Sequence, residues 1–317
     1  MKRPFYLLAL IIALIAASCS ESHKAAKRRH HSDSATLRLA LMPTLDCLPF
    51  YMAADSGIFD SLGLDVEIKT YRSLADCDTA LMGGTVHCAL TDLIYALRHA
   101  DTTDLRLIMQ TQSQWQLVTT RTARLRTVTD MKERTVAIAR HSATDFLSDE
   151  FMKGTKLTHD DVFRPQVGDV VLRSQMLTGG QVDAALLPEP HATRAVLLQH
   201  PSVYNSRQAE ICLTAMAALQ PTINARLKQM RLLVEAYNIA ARRINAAHGN
   251  GRQLRSLLTS RTAIEPEVAD TLRIPQFGRA RSVSTDDLRR AQQWAAGSRL
   301  NVKADKLGTM VNSDFLN

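Results

Sequence analysis

Polar residues that could bind a small molecule stand at four points of this 317-residue sequence, each where a strand-like run gives way to a helix-like run. They are Thr44 and Asp46, Thr91 and Asp92, Ser142, Ala143 and Thr144, and Glu189. Hydroxyl groups and the backbone N–H groups of a helix N-terminus favour an oxyanion, whereas carboxylates favour an amine or a ring N–H donor. A solute that carries both kinds of group would satisfy the whole set.

Reversible binding fits these residues better than catalysis. The sequence has no nucleophile elbow, no phosphate-binding glycine loop and no paired metal ligands, and it implies no cofactor. Thr91 and Ser142 are predicted helix N-caps, and plain capping is the alternative to ligand binding for each. Arg140 and His141 strengthen the preference for an anion. Trp115 either stacks on a planar solute or packs in a core or hinge.

The elements that position these residues alternate between short strands and helices, which is typical of an α/β fold with mainly parallel sheets. Leu37–Met42 is predicted as the first strand and Leu48–Ser56 as the first helix, with Gly57 in a left-handed turn. In such folds the ligand binds beyond the carboxyl ends of the strands. The loops predicted to line one cleft are 43–47, 91–92, 140–144 and 187–190.

An internal echo predicts two lobes of similar plan. The segment 82–90 and the segment 178–186 share the pattern Gly-Gly-X-Val-X-X-Ala-Leu. We therefore expect hinge closure about crossovers near Gln114–Leu117 and Cys212–Ala215. The predicted divisions are 36–113 for the first part of lobe 1, 114–212 for lobe 2, and 213–317 for the return to lobe 1 and the C-terminal helices.

Five stretches carry a recognisable order of motifs. They are Leu48-Pro-Phe-Tyr51, Ala53–Val66 with Gly57 and Gly63, Ala80–His87, Met176–Asp183, and Asp183–Pro190. In this order they resemble periplasmic solute-binding proteins of the sulfonate, nitrate, taurine and thiamine-pyrimidine type. The resemblance implies the type II fold of periplasmic binding proteins, capture of a small solute by a monomer, and delivery to an ABC permease.

One position departs from that family pattern, and two other functions remain open. His87 stands where the first-lobe motif usually has aspartate, a position expected to support strand geometry. The alternatives to transport are a ligand sensor of the same fold, or an enzyme of the thiamine-pyrimidine or menaquinone-pathway type. Those enzymes work in the cytoplasm, whereas this chain begins with an export signal.

The N-terminus predicts export and a lipid anchor. Lys2 and Arg3 precede the apolar run Leu7–Ala17, which is followed by Cys19, so residues 1–18 read as a signal peptide. Cys19 would carry lipid such as palmitate and hold the protein on a membrane, although an ordinary secretory signal is the alternative. The polar segment 19–35 is a predicted tether. Its basic residues contribute to the net charge of +8 without indicating nucleic acid.

The remaining cysteines number four, an even number that suits an oxidising compartment. Cys47 and Cys77 follow the first and second predicted strands, which should be neighbours, so a disulfide between them is expected at the mouth of the cleft. Cys88 and Cys212 lie in apolar runs and are predicted as buried thiols, with a pairing between them left open. No cysteine or histidine spacing indicates a metal site.

Overall fold

Nine strands and twelve helices form the part of the chain that the computed structural model describes, residues 35–247, 251–298, 300 and 304–316. The strands are β1 (Leu37–Leu41), β2 (Val66–Thr70), β3 (Cys88–Asp92), β4 (Leu105–Gln110), β5 (Trp115–Thr119), β6 (Val136–Ala137), β7 (Ala184–Pro188), β8 (Ser202–Asn205) and β9 (Thr214–Leu219). The helices are α1 (Leu48–Asp55), α2 (Ile58–Ser61), α3 (Leu74–Met82), α4 (Leu93–Leu97), α5 (Ala143–Met152), α6 (Val170–Thr178), α7 (His191–Leu197), α8 (Gln220–Ala225), α9 (Leu227–Ala246), α10 (Arg252–Thr262), α11 (Pro266–Thr271) and α12 (Thr285–Gly297). The predicted signal peptide, Cys19 and the predicted tether up to residue 34 lie outside the described residues.

The strands form two sheets, with the order β2-β1-β3-β9-β4 in the first and β6-β7-β5-β8 in the second. We call the part built on the first sheet lobe 1 and the part built on the second lobe 2. One strand in each sheet runs against the others: β9 is antiparallel to β3 and β4, and β5 is antiparallel to β7 and β8. Each reversed strand is the first after the chain crosses between lobes. The predicted α/β fold with two mainly parallel sheets is therefore confirmed.

Burial along the strands follows their place in the sheets. Every residue of β3 and β7 is buried, as expected of strands covered on both faces. In β2 apolar Val66 and Ile68 alternate with Glu67 and Lys69, and the strand is half exposed because it lies at a sheet edge. The alternation in the sequence therefore marks an edge strand.

The C-terminal helices return to cover lobe 1. Helix α9 packs on α1, where the rings of Phe50 and Tyr237 have centroids 5.3 Å apart. The long helix that the sequence predicts from Asn224 to Ala247 is confirmed as α9, which begins at Leu227 because Arg226 has φ −130° and separates α8 from α9. In the described residues no helix is long and apolar enough to cross a membrane.

The crossovers between the lobes are the connections 111–114 and 206–213. The predicted hinge at Gln114–Leu117 extends too far, since Leu117 pairs with Leu186 inside the second sheet. The predicted hinge at Cys212–Ala215 likewise includes Ala215, which pairs with Thr91 in the first sheet. Ladder hydrogen bonds hold both residues, so rotation between the lobes must occur in the shorter connections.

The internal echo corresponds to one repeated unit in each lobe. Helix α3 ends on Gly83-Gly84 and α6 on Gly179-Gly180, and the second glycine of each pair has φ near +70°. L-residues with a side chain rarely adopt that conformation, which explains glycine at both positions. Each turn then leads into a fully buried strand, β3 or β7.

The disulfide predicted between Cys47 and Cys77 is wrong: both are free thiols in this structure. Cys77 lies within α3, fully buried, and not in a loop at the mouth of a cleft. Burial raises the pKa of both thiols well above the ordinary value, which disfavours the thiolate that disulfide exchange requires. Cys88 is buried in β3 as predicted, and Cys212 is a free, partly buried thiol in the second crossover.

Candidate ligand-binding site

Loops at the carboxyl ends of the strands of both lobes meet at one boundary. The N–H of Leu45, after β1, donates to the carbonyl of Glu189, after β7, at 2.8 Å. The Nε2 atom of His191 lies 3.0 Å from the carbonyl oxygen of Pro43. This is where ligands bind in open α/β sheets, so we call it the interlobe boundary and look there for the site.

A second set of contacts crosses the boundary near β2. Arg72 of lobe 1 forms an ion pair with Asp169 of lobe 2, with Nε 3.0 Å from Oδ2. The N–H of Val170 donates to the carbonyl of Arg72 at 2.8 Å. The two lobes therefore touch through backbone and side chain, in a closed arrangement.

Asp92 joins the two lobes through its carboxylate. Oδ1 accepts from the N–H of Tyr95 at 2.7 Å and so caps α4, while Oδ2 accepts from the N–H of Ala143 at 2.7 Å, at the start of α5 in lobe 2. Burial raises the pKa of Asp92 to about 7. Thr91, predicted as the N-cap, instead lies in β3, and the cap is Asp92.

The N-terminus of α5 forms as the sequence predicts, but its donors are partly used within the protein. Ser142 is the N-cap, and its Oγ accepts from the N–H of Thr144 at 3.1 Å and donates to the carbonyl of Ala139 at 2.7 Å. The Thr144 Oγ1 also bonds the backbone of Ala139. Since Asp92 occupies the N–H of Ala143, an anion placed there would have to displace a carboxylate.

Asp46 is a buried carboxylate held by hydroxyl groups. Its Oδ1 accepts from Thr44 Oγ1 at 2.6 Å, and its Oδ2 accepts from Thr111 Oγ1 at 3.2 Å, in the first crossover. Burial raises the pKa of Asp46, and its hydrogen bonds with hydroxyl groups oppose this rise. The group is suited to an N–H donor from a solute.

Glu189 is bonded within lobe 2. Its Oε1 accepts from Gln116 Nε2 at 2.5 Å, and its Oε2 accepts from the N–H and Oγ1 of Thr193 in α7. Burial raises its pKa. Its carboxylate therefore serves α7 in this structure, and only its carbonyl reaches lobe 1.

The first crossover and the strand residues on either side of it carry buried polar atoms that have no hydrogen-bond partner in the described part of the chain. They are Gln110 Oε1, Gln112 Oε1, Ser113 Oγ and Trp115 Nε1. A buried polar atom without a partner costs about 1–3 kcal/mol, so such a group of atoms marks a place where a ligand or water can bind. Trp115 itself is the first residue of β5 and is buried. Its ring therefore has no exposed face on which a solute could stack in this structure.

Two cavities among the described residues lie away from these contacts. One of about 850 Å³ opens between α5 and α12, with Arg164, Asp149 and Trp294 in its wall. The other, of about 660 Å³, opens between α1 and α10. Arg140 and His141, from the predicted cleft loop 140–144, lie in the wall of the larger cavity. Neither wall contains Asp46, Asp92 or Glu189, whose side chains are hydrogen-bonded within the protein.

Arg173 was missed by the sequence analysis, although the sequence contained a signal. In α6 the residues Val170, Arg173, Ser174 and Leu177 form the buried face, with the spacing i, i+3, i+4, i+7 of an apolar stripe. An arginine in such a stripe is unusual, since charged side chains are rarely buried fully. Thr111 carried no comparable signal, because only the crossover geometry makes it a neighbour of Asp46.

The chain belongs to the NMT1/THI5-like family, whose model matches residues 44–236. The matched range runs from the loop after β1 into α9 and includes both crossovers. A comparison with curated proteins finds no match.

Solved structures share the fold at low sequence identity. The alkanesulfonate-binding protein SsuA from Xanthomonas axonopodis pv. citri, bound to MOPS, has a TM-score of 0.77 and 15% identity, over 88% of this chain and 98% of that one. The periplasmic nitrate-binding protein NrtA from Synechocystis PCC 6803 has a TM-score of 0.71 and 12% identity, over 89% and 87%. The desulfurization enzyme DSZB has a TM-score of 0.64 and 16% identity, over 89% and 97%. The fold of this chain is thus that of periplasmic binding proteins.

Proposed function

We propose that this protein captures a small organic molecule or anion between its two lobes and delivers it to an ABC importer. The supporting observation is the interlobe boundary, where strand ends of both sheets bring Asp46, Asp92 and the unpartnered atoms of the first crossover together. Two short crossovers join the lobes, which is the connection that hinge closure needs. Two proteins of the same fold bind an alkanesulfonate and nitrate, which supports a small organic molecule or anion as the solute.

Stabilisation by solutes tests this function. We expect at least one member of a panel of sulfonates, carboxylates, nitrate, amino acids and pyrimidines to raise the thermal midpoint of the purified full-length chain. A solute at 100 times its dissociation constant stabilises the folded state by about 2.7 kcal/mol. Native mass spectrometry of protein purified without refolding would reveal a co-purified solute. A panel without any stabilising member, together with an empty native spectrum, would contradict solute capture.

A catalytic role has support from one observation, the shared fold of the desulfurization enzyme. Against it, burial raises the pKa of every described cysteine, whereas a nucleophilic cysteine needs a lowered pKa. Conversion of a bound solute, followed by mass spectrometry, would favour the enzyme. A sensor role uses the same site and differs only in the membrane protein that receives the closed form.

We propose that the protein is exported and anchored to a membrane through lipid on Cys19. A positively charged start, an apolar run and a cysteine after small residues support this. We expect the wild-type chain to fractionate with membranes and Cys19→Ala to be released into the soluble extracytoplasmic fraction. Cys88→Ala, which changes a cysteine buried in β3, is the control and should stay with the membranes. Wild-type protein in the soluble fraction would contradict the anchor.

A further inference from the structure

Arg173 is a buried cation at the interlobe boundary. It lies in the first turns of α6, and its side chain is 2% exposed. Its Nη1 donates to the carbonyl of Val167 at 2.7 Å. Val167 ends a segment that runs parallel beside β6, so the guanidinium lies at the carboxyl-end edge of the lobe 2 sheet.

The guanidinium of Arg173 is only partly satisfied by the described residues. Nε is buried without a hydrogen bond, and the one bond that the group makes is the bond from Nη1 to a neutral carbonyl. Asp169, one helical turn earlier, is the nearest acid, but it is engaged by Arg72 and by the N–H groups of Val171 and Leu172. Burying an unpaired charge costs several kcal/mol, so the fold retains Arg173 at an energetic cost.

Both lobes face this charge. Tyr95, in the first turn of α4 in lobe 1, interacts electrostatically with Arg173. His191, which bonds the carbonyl of Pro43 across the boundary, has its pKa lowered to about 4 by burial and further by the charge of Arg173. Burial lowers the pKa of Arg173 to about 10, which still leaves the guanidinium charged at neutral pH.

Arg164 provides the contrast, since it is a buried arginine of the same lobe with acidic partners. It is 8% exposed, and its Nη1 lies 2.7 Å from Asp149 Oδ1 and 3.5 Å from Asp145 Oδ1. Its Nε and Nη2 are also buried without a hydrogen bond, but these two carboxylates compensate its charge within lobe 2. Arg173 has the same burial without the carboxylates.

We propose that Arg173 selects a solute with an oxyanion group, to which its unused N–H groups donate when the lobes close. This inference rests on the proposed capture function. A guanidinium suits the oxygen pairs of carboxylate, sulfonate or phosphate because its N–H groups form a planar fork. The solute would thereby add a directly hydrogen-bonded negative charge to the weaker attraction that Arg173 has for Asp169.

The test measures the binding of defined probes to the full-length chain. The probes are hexanesulfonate, hexanoate, phenyl phosphate and nitrate, with hexanamide as the uncharged probe, and the variants are Arg173→Met, Arg173→Lys and Arg164→Met. We expect Arg173→Met to weaken binding of the preferred oxyanion by about 10- to 100-fold, the usual effect of losing hydrogen bonds to a charged group. Arg173→Lys keeps the charge without the fork and should fall between wild type and Arg173→Met. Arg164→Met should keep the wild-type affinity.

Thermal midpoints without probe separate this role from a structural one. Arg173→Met should unfold at or above the wild-type temperature, because it removes an unpaired buried charge. Arg164→Met should unfold lower, because Asp149 and Asp145 lose their partner. The proposal is overturned if Arg173→Met binds the oxyanion within about twofold of wild type, or if Arg164→Met loses binding equally. A wild-type chain that binds hexanamide and no oxyanion overturns this assignment alone, whereas one that binds no solute of either panel contradicts solute capture as well.

Discussion

Asp92 shows how one residue can serve both local and interlobe structure. Its two carboxylate oxygens accept from N–H groups at the starts of α4 and α5, which belong to different lobes. Helix N-termini favour negative charge, yet burial has the larger effect and raises the pKa to about 7. Asp92 thus binds the backbone N–H at the start of α5 that the sequence predicts to bind an anionic solute.

The stability of the protein should depend on pH through Asp92. Its folded-state pKa of about 7 exceeds the ordinary value of 3.8 for an aspartate, so the native state keeps a proton that the unfolded state releases between these values. Its contribution is fully present below about pH 4 and is lost as pH rises through 7. We expect the unfolding free energy of wild type, minus that of Asp92→Asn, to fall over this window by about 4 kcal/mol at most, measured by urea denaturation.

Asp130→Asn is the control for that experiment. Backbone N–H groups of Arg126 and Thr127 lower the pKa of Asp130, so its contribution is present above pH 4 and is lost only in acid. The difference between wild type and Asp130→Asn should therefore be constant from pH 5 to 8. A constant difference for Asp92→Asn from pH 4 to 8 would refute the buried, raised-pKa carboxylate.

Site residues were predictable from the sequence to the extent that chain position determines them. Thr44, Asp46, Asp92 and Ser142 could be named because polar residues after strands lie at the carboxyl edge of a sheet. Their hydrogen-bond partners could not be named, because bonds such as that between Asp92 and Ala143 join residues about fifty positions apart in the sequence. Whether a hydroxyl binds a solute or caps its own helix also depends on those contacts, and Ser142 caps α5 here.

At the scale of elements, the repeated motif was predictable and its exact role was not. His87 Nδ1 accepts from the N–H of Arg38 at 2.9 Å, and Asp183 Oδ2 accepts from the N–H of Thr135 at 2.9 Å. In each lobe, the side chain just before the buried strand of the motif therefore binds the backbone of a neighbouring segment. An imidazole replaces the usual aspartate without loss of the acceptor, which explains how the departure at His87 is tolerated.

Element boundaries were less predictable where tertiary contacts set them. The sequence predicts a crossover near Gln114–Leu117, but the ladder of β5 already starts at Trp115, where pairing with Pro188 begins. The predicted start of α9 at Asn224 is three residues early, since the break at Arg226 is not marked by a proline or glycine there. Intrinsic propensity describes the conformation that a residue prefers locally, whereas contacts with residues distant in sequence determine where these elements begin.

At the scale of the whole molecule, closure is supported by polar contacts at several points of the interlobe boundary. The chain passes between the lobes twice, and the reversed strands β5 and β9 tie each crossover into the sheet that it enters. The lobes are additionally joined by the Arg72–Asp169 ion pair and by hydrogen bonds that include Asp92 to Ala143 and the backbone bond from Leu45 to Glu189. A partly exposed ion pair contributes about 0–1 kcal/mol, so Arg72–Asp169 alone adds little to closure.

Removing these interlobe contacts should open the solute-free protein. We expect the double variant Arg72→Ala/Asp92→Ala to show a larger radius of gyration than wild type by small-angle X-ray scattering, because two connections between the lobes are lost. A bound solute should restore the wild-type value, since it favours the closed state. Arg255→Ala, which breaks the Arg255–Asp270 ion pair between α10 and α11, is the matched control and should not change the radius. An unchanged radius in the double variant would mean that apolar packing, and not these polar contacts, holds the lobes together.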